Sequence, residues 1–239
     1  MIRLGSTDIA NMPGIAKVMW GADQIWPSAV GSDELVAISF DGVCITYGND
    51  TGLGYAWVVP EGYRRCTGVN FDGNCWFETD IYLQGSDTLR FAFKATKACN
   101  VLGCYTDTSA QNNYSVYAST TSGAKYLRYN GGTYLSAIST NTRYDIEITP
   151  TGATGFGSAS TWTQQTFTAS SKMIIGTTSR TATSAKLTGV LYGDVEVEGR
   201  GYYVPLEKIS DSSIVYYDVV SGNMYANLGS GTPTALGYV

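Results

Sequence analysis

The chain has 239 residues, of which 44% are hydrophobic and only 15% are charged, and its net charge at pH 7 is −5. This hydrophobic fraction excludes a disordered chain, and the dispersed basic residues argue against nucleic acid as a partner, because phosphate affinity comes from clustered Lys and Arg. The 18 tyrosines and 28 glycines predict strands and tight turns rather than helices.

The composition also bears on membranes, metals and cofactors. No apolar run is long enough for a secretory signal or a transmembrane helix, so we expect no membrane insertion. The five cysteines are an odd number and cannot all pair within the chain, which predicts reduced thiols buried as small hydrophobes. Because the chain has no histidine and no Cys-x-x-Cys pair, we expect neither a zinc site nor a cofactor.

An internal repeat opens the chain. Residues 4–9 (LGSTDI) are echoed sixteen positions later by residues 20–25 (WGADQI), and each unit predicts a strand, a glycine turn and a second strand. Residues 1–29 are therefore predicted to form an N-terminal hairpin-repeat arm. Two hairpins cannot bury their own apolar side chains, so the arm packs either on the chain's own main domain or on another chain. For the second case the predicted interface residues are Leu4, Ile9, Trp20, Ile25 and Trp26.

Residues 30–62 predict a β connector or small subdomain. Three short strand patterns, at 35–40, 43–47 and 55–59, are separated by turn sequences rich in Gly, Asn and Asp. The segment Pro60-Glu61-Gly62 then interrupts the pattern and marks the start of a larger domain.

Residues 63–239 predict one antiparallel two-sheet sandwich. Leu89, Phe91 and Phe93 alternate with polar residues, which places one face of that strand in the core and the other in water. Asn130-Gly131-Gly132 between two apolar runs predicts a tight hairpin. Further strands are predicted at 143–148, 172–177, 187–198, 201–209, 214–219 and 223–226.

Three stretches of the larger domain carry a family pattern: residues 76–81, residues 186–193, and above all residues 214–232, a Tyr-Asp strand that turns at Ser-Gly and returns through Tyr-x-Asn-x-Gly. These stretches resemble the concanavalin A-like, laminin-G-like jelly rolls of virion proteins from phages that infect gut bacteria, although Asp80 replaces the usual glycine in the first of them. The family's Cys-Arg pair before this last hairpin is missing here. The resemblance implies a jelly-roll fold and a particle protein, whereas the fold alone implies no ligand.

An enzyme is not expected. The absence of histidine removes the commonest general base. Glu78-x-Asp80-x-x-Leu83 partly resembles the carboxylate strand of retaining glucanases with this fold, but Leu83 stands where a second carboxylate is needed. No catalytic residue is therefore predicted, and a glycoside hydrolase is the remotest alternative.

A glycan site is predicted in the segment 105–114, which is rich in Tyr, Asn and Ser. An aromatic platform with planar amide and carboxylate groups is typical of sugar binding. The candidate residues are Tyr105, Asp107, Asn112, Asn113 and Tyr114. The alternative is an ordinary polar turn between strands.

The resemblance implies a structural protein of the bacteriophage virion, such as a fibre, collar or capsid-decorating subunit. Its expected partners are other virion proteins and copies of itself, with a homotrimer favoured, because appendages commonly bury one patch on every subunit through rotational symmetry. Adhesion to host-surface glycans is compatible with this role. A dedicated receptor-binding lectin is the main alternative.

Overall fold

The computed structural model describes residues 3–4, 7–8, 17–20, 23–27, 37–40, 43–46, 59–104, 112–118, 125–130, 132–136, 139–156, 159–179 and 186–239. Every regular element within these ranges is a β-strand, which confirms the all-β class. Across the same ranges no helix is long and apolar enough to cross a membrane. The chain divides into two compact units, Met1–Tyr63 and Arg64–Val239.

In the first unit the described residues form three antiparallel strand pairs. Each pair joins neighbours in sequence, and Trp20 of the second pair lies opposite Asp23. The strands are β1 (Arg3–Leu4) with β2 (Thr7–Asp8), β3 (Lys17–Trp20) with β4 (Asp23–Pro27), and β5 (Ala37–Phe40) with β6 (Val43–Thr46). The strand predicted at 55–59 lies mostly outside the described residues.

The larger unit contains two antiparallel sheets. The six-stranded sheet has the order β13-β12-β11-β10-β17-β8, formed by β8 (Phe77–Glu78), β10 (Cys99–Cys104), β11 (Tyr114–Ala118), β12 (Lys125–Tyr129), β13 (Gly132–Ser136) and β17 (Ile174–Ile175). The tight hairpin predicted at Asn130 is confirmed, because Tyr129 pairs with Gly132 and Asn130 has a φ of 46°.

The ten-stranded sheet runs β16-β15-β14-β9-β18-β7-β19-β20-β21, and β22 pairs with β7. Its strands are β7 (Tyr63–Asp72), β9 (Leu89–Ala95), β14 (Tyr144–Thr149), β15 (Gly152–Thr154), β16 (Ser160–Thr161), β18 (Thr188–Val197), β19 (Gly201–Lys208), β20 (Ile214–Asp218), β21 (Met224–Ala226) and β22 (Thr234–Tyr238). The strand β22 was not predicted from the sequence, and the strand predicted at 172–177 is only two residues long.

One hydrophobic core lies between the two sheets. In β9 the side chains of Leu89, Phe91 and Phe93 are buried while the intervening residues are partly exposed, as the alternation predicts. Phe77 of the six-stranded sheet contacts Tyr216 of the ten-stranded sheet edge to face, with ring centroids 4.9 Å apart. The sheets are thus two layers packed face to face, and the opposite face of the ten-stranded sheet is left to carry polar side chains.

Four cysteines add to this core. Cys66, Cys75, Cys99 and Cys104 are free thiols and are buried, as the sequence predicts. Burial raises the pKa of Cys66 and of Cys75 to about 12 each, so both remain protonated and unreactive at neutral pH. The side chain of Cys44 is outside the described part of the molecule.

Candidate functional site

An open groove crosses the face of the ten-stranded sheet that points away from the core. Alternate residues of β14, β9, β18 and β19 project from this face, because successive side chains of a strand point to opposite sides. The groove has a volume of about 410 Å³. Its lining residues are Arg90, Phe91, Ala92, Asp145, Ile146, Glu147, Tyr192, Asp194, Glu196 and Tyr202.

Arg90 occupies the middle of the groove and contacts three carboxylates. Its Nε donates to Glu147 Oε1 at 2.9 Å, Nη1 to Glu196 Oε2 at 3.3 Å and Nη2 to Glu198 Oε2 at 3.3 Å. The three carboxylates come from β14 and from the end of β18 on either side of Arg90, which the sheet places between them. Three of the five N–H donors of this guanidinium are therefore used within the protein.

A second arginine pairs with the next carboxylate along β18. Arg65 Nη2 donates to Asp194 Oδ2 at 2.6 Å, and the Tyr202 hydroxyl donates to the same oxygen at 2.8 Å. Burial raises the pKa of Asp194 above its ordinary value, and the charge of Arg65 and the two hydrogen bonds oppose that rise only in part. The same burial, together with the negative charge of Asp194, raises the pKa of Tyr202.

A bulge in β18 creates this arrangement. Tyr192 lies opposite Ala92 of β9 and Glu196 lies opposite Arg90, so four residues of β18 span the distance that two residues of β9 cover. Gly193 within the bulge has a φ of 57°, a conformation that glycine adopts without strain. The extra residues bring Asp194 to the groove beside Glu196, so that Tyr192, Asp194 and Glu196 all line it.

Asp194 and Glu196 each have one carboxylate oxygen that receives no hydrogen bond from the described residues. These oxygens, Asp194 Oδ1 and Glu196 Oε1, are buried. The side chain of Asp194 is 12% exposed and that of Glu196 is 8% exposed. Such acceptors cost free energy when unsatisfied, and a change of side-chain torsion would bring them to the groove, where a ligand could donate to them.

Two tyrosines complete the groove. Tyr192 and Tyr202 are partly exposed and line it from β18 and β19. The guanidinium of Arg143 lies over the Tyr192 ring, 4.6 Å from its centroid, and is paired with Asp145 at 2.6 Å. A shallow groove with tyrosine rings beside carboxylates and an arginine has the chemistry of a saccharide site, in which rings contact sugar C–H faces and polar groups bind hydroxyls.

The structure describes only part of the predicted glycan site at 105–114. Tyr114 is 1% exposed, and its ring packs edge to face on Tyr129 with centroids 5.1 Å apart, so it offers no face to a sugar. Asn113 is also 1% exposed. Of the three described residues in this segment, Asn112 is the one at the surface, where its N–H donates to Asn130 Oδ1, 18 residues away in the chain. Tyr105 and Asp107 lie outside the described residues.

The groove residues differ from the predicted ones because they lie on strands, whereas the predicted site was a loop sequence rich in Tyr and Asn. Asp194-Val195-Glu196-Val197-Glu198 alternates carboxylates with valines, which is the signal of an acidic strand face above an apolar one. Leu83, at the position that a second glucanase carboxylate would take, is fully buried in the core.

The predicted interface residues can be placed only in part. Leu4, Trp20, Ile25 and Trp26 lie in β1, β3 and β4, whereas Ile9 and the surroundings of all five side chains fall outside the described residues. Within the described ranges no group of three or more Cys, Asp or Glu side chains is arranged to hold a metal ion.

Comparison with known proteins identified no similar protein. No family model matches the chain. The searches of curated proteins and of solved structures also found no match.

Proposed function

We propose that this chain is a structural protein of a bacteriophage particle that binds host-surface glycan through the groove on its ten-stranded sheet. The observation that carries the glycan part is the groove itself, in which Tyr192 and Tyr202 flank buried carboxylates with unsatisfied oxygens. Aromatic rings beside planar hydrogen-bonding groups suit a sugar ring better than they suit a flat apolar ligand.

The particle role rests on the resemblance of residues 214–232 to the terminal signature of phage jelly rolls. The hydrogen bonds of Asn227 give that signature a physical reason. Its Oδ1 accepts the N–H groups of Trp76 and Gly229 at 3.1 and 3.0 Å, and its Nδ2 donates to the carbonyl of Gly231 at 2.8 Å. The motif thus fixes the C-terminal loop against the start of β8, which supports a concanavalin A-like jelly roll.

The N-terminal 29 residues are proposed to attach the sandwich to other virion proteins or to two further copies of the chain. The support is the surplus of apolar side chains, including Trp20 and Trp26, in hairpins too short to enclose a core. We expect such a protein to be present in purified virions. Labelling of purified particles with an antibody against the chain tests this location.

Catalysis is not part of the proposed function. Hydrolysis of a glycosidic bond needs one carboxyl that donates a proton and a second that is free to act as base or nucleophile. In the groove Glu196 is paired with Arg90 and Asp194 with Arg65. We therefore expect binding without release of reducing sugar.

Loss of a groove tyrosine is expected to abolish most glycan affinity. On an array of bacterial surface glycans, the full chain should retain one or more ligands, and Tyr192→Ala should weaken that binding about tenfold, a typical effect of removing a stacking ring. Tyr82→Ala is the matched control, because Tyr82 is an exposed tyrosine that does not line the groove. Equal losses in both variants, or no glycan bound by the wild type, would contradict the proposal.

A further inference from the structure

The charges around the groove are unbalanced. The charged side chains that line it, together with their ion-pair partners among the described residues, comprise five carboxylates and three guanidinium groups. Arg90 is shared by three of the carboxylates, and Arg65 and Arg143 are each paired with an aspartate. The site therefore carries a net negative charge and repels an anionic ligand.

Glu196 is the residue that most needs a further partner. It lines the groove, its side chain is 92% buried, and one of its two oxygens has no hydrogen-bond donor in the described structure. Among the described residues its one ion pair joins Glu196 Oε2 to Arg90 Nη1 at 3.3 Å. Arg90 also forms ion pairs with Glu147 and Glu198. Because the terminal torsion of a glutamate is broad, the carboxylate can turn either oxygen toward a bound molecule.

A ligand ammonium group meets these requirements better than a hydroxyl does. It supplies three N–H donors and a positive charge, and a charge-assisted hydrogen bond is shorter and about twice as strong as a neutral one. The face of the Tyr192 ring that Arg143 leaves uncovered can also attract a cation. A sugar ring with an amino substituent combines the ammonium with the C–H face that the tyrosines suit.

We propose that the groove selects saccharides that carry a free amino group, that is, hexosamines without an N-acyl substituent, with Glu196 as the residue that binds the ammonium. This inference rests on the proposed glycan-binding function and names the ligand class of the same site. It further implies that uronic-acid polysaccharides are excluded.

Three oligosaccharides of equal length test the selectivity by isothermal titration of the full chain at pH 5.5: a β-1,4-glucosamine tetramer, its N-acetylated form and a galacturonate tetramer. The glucosamine tetramer should bind at least about tenfold more tightly than the N-acetylated form, and the galacturonate tetramer should not bind. Glu196→Gln should remove about tenfold of the glucosamine affinity, and Glu61→Gln, a change at an exposed glutamate outside the groove, should leave it unchanged.

The outcomes separate this inference from the proposed function. If the N-acetylated tetramer binds as well as glucosamine and Tyr192→Ala weakens it, the amino-sugar selectivity is wrong while glycan binding in the groove stands. If pentalysine binds as tightly as the glucosamine tetramer and depends equally on Glu196, the groove recognises protein ammonium groups, and the inference fails. If none of the three tetramers binds while the wild type retains another glycan on the array, the amino-sugar inference fails and the glycan-binding function stands. If the array also retains nothing, both fail.

Discussion

Tyr114→Ala is expected to destabilise the protein by about 3–5 kcal/mol, the usual cost of truncating a buried aromatic ring. The ring is 1% exposed and contacts both Tyr129 and Phe167, with centroids 5.1 and 5.6 Å apart. Truncation would leave a cavity beside Tyr129 and Phe167, whose rings also contact each other, with centroids 5.2 Å apart. Urea denaturation of the wild type and the variant, followed by tryptophan fluorescence, measures the loss.

Tyr114→Phe is the matched control. It keeps the ring and removes only a hydroxyl whose hydrogen bond to the Asp87 carbonyl is 3.4 Å long, so a loss of about 1 kcal/mol or less is expected. Should Tyr114→Ala prove as stable as wild type and yet fail to bind glycan, Tyr114 would be a surface ligand and its buried position would be wrong.

Gly229→Ala is expected to cost about 3 kcal/mol or more, because the new methyl group has no room. A Cβ at this position would lie 1.8 Å from the Asn74 carbonyl oxygen and 3.0 Å from the Cα of Cys75, both in the backbone. Relief requires the C-terminal loop to move away from the segment before β8, which breaks the hydrogen bonds of Asn227. The melting temperature and the urea midpoint should both fall.

Gly222→Asn provides the comparison from the same C-terminal hairpin. Gly222 has a φ of 76° but open space where a Cβ would lie, and asparagine tolerates this backbone conformation better than most residues. Its cost should be below about 1 kcal/mol. A Gly229→Ala variant no less stable than Gly222→Asn would show that the loop does not pack on Asn74.

The strands with clear alternation could be predicted from the sequence. In a strand with one buried face and one solvent-exposed face, apolar residues recur at every second position. This pattern identifies β9 through Leu89, Phe91 and Phe93, and β14 through Ile146 and Ile148. By contrast β11 (Tyr114–Ala118) is buried at four of its five positions and has no such period. The sequence therefore does not show where the loop ends and β11 begins. For this reason Tyr114, the first residue of β11, was predicted at the surface although it lies in the core.

The groove could not be predicted from local sequence because its contacts are long-range. Arg65 and Asp194 are 129 residues apart in the chain, and Arg90 and Glu196 are 106 apart. Their meeting depends on the order in which β7, β9 and β18 pair, and on a bulge that shifts the register of β18. The alternating carboxylates of residues 194–198 show an acidic strand face, but they do not reveal which arginines and tyrosines face it.

The position of the bound glycan tests the central claim most directly. Hydrogen exchange measured by mass spectrometry, with and without the tightest ligand from the glycan array, compares the groove with the originally predicted segment in one experiment. The groove predicts that the strongest protection falls in peptides covering residues 188–197 and 144–149. Protection confined to residues 105–118, or a bound glycan that protects neither region, would contradict the assignment of the groove as the glycan site.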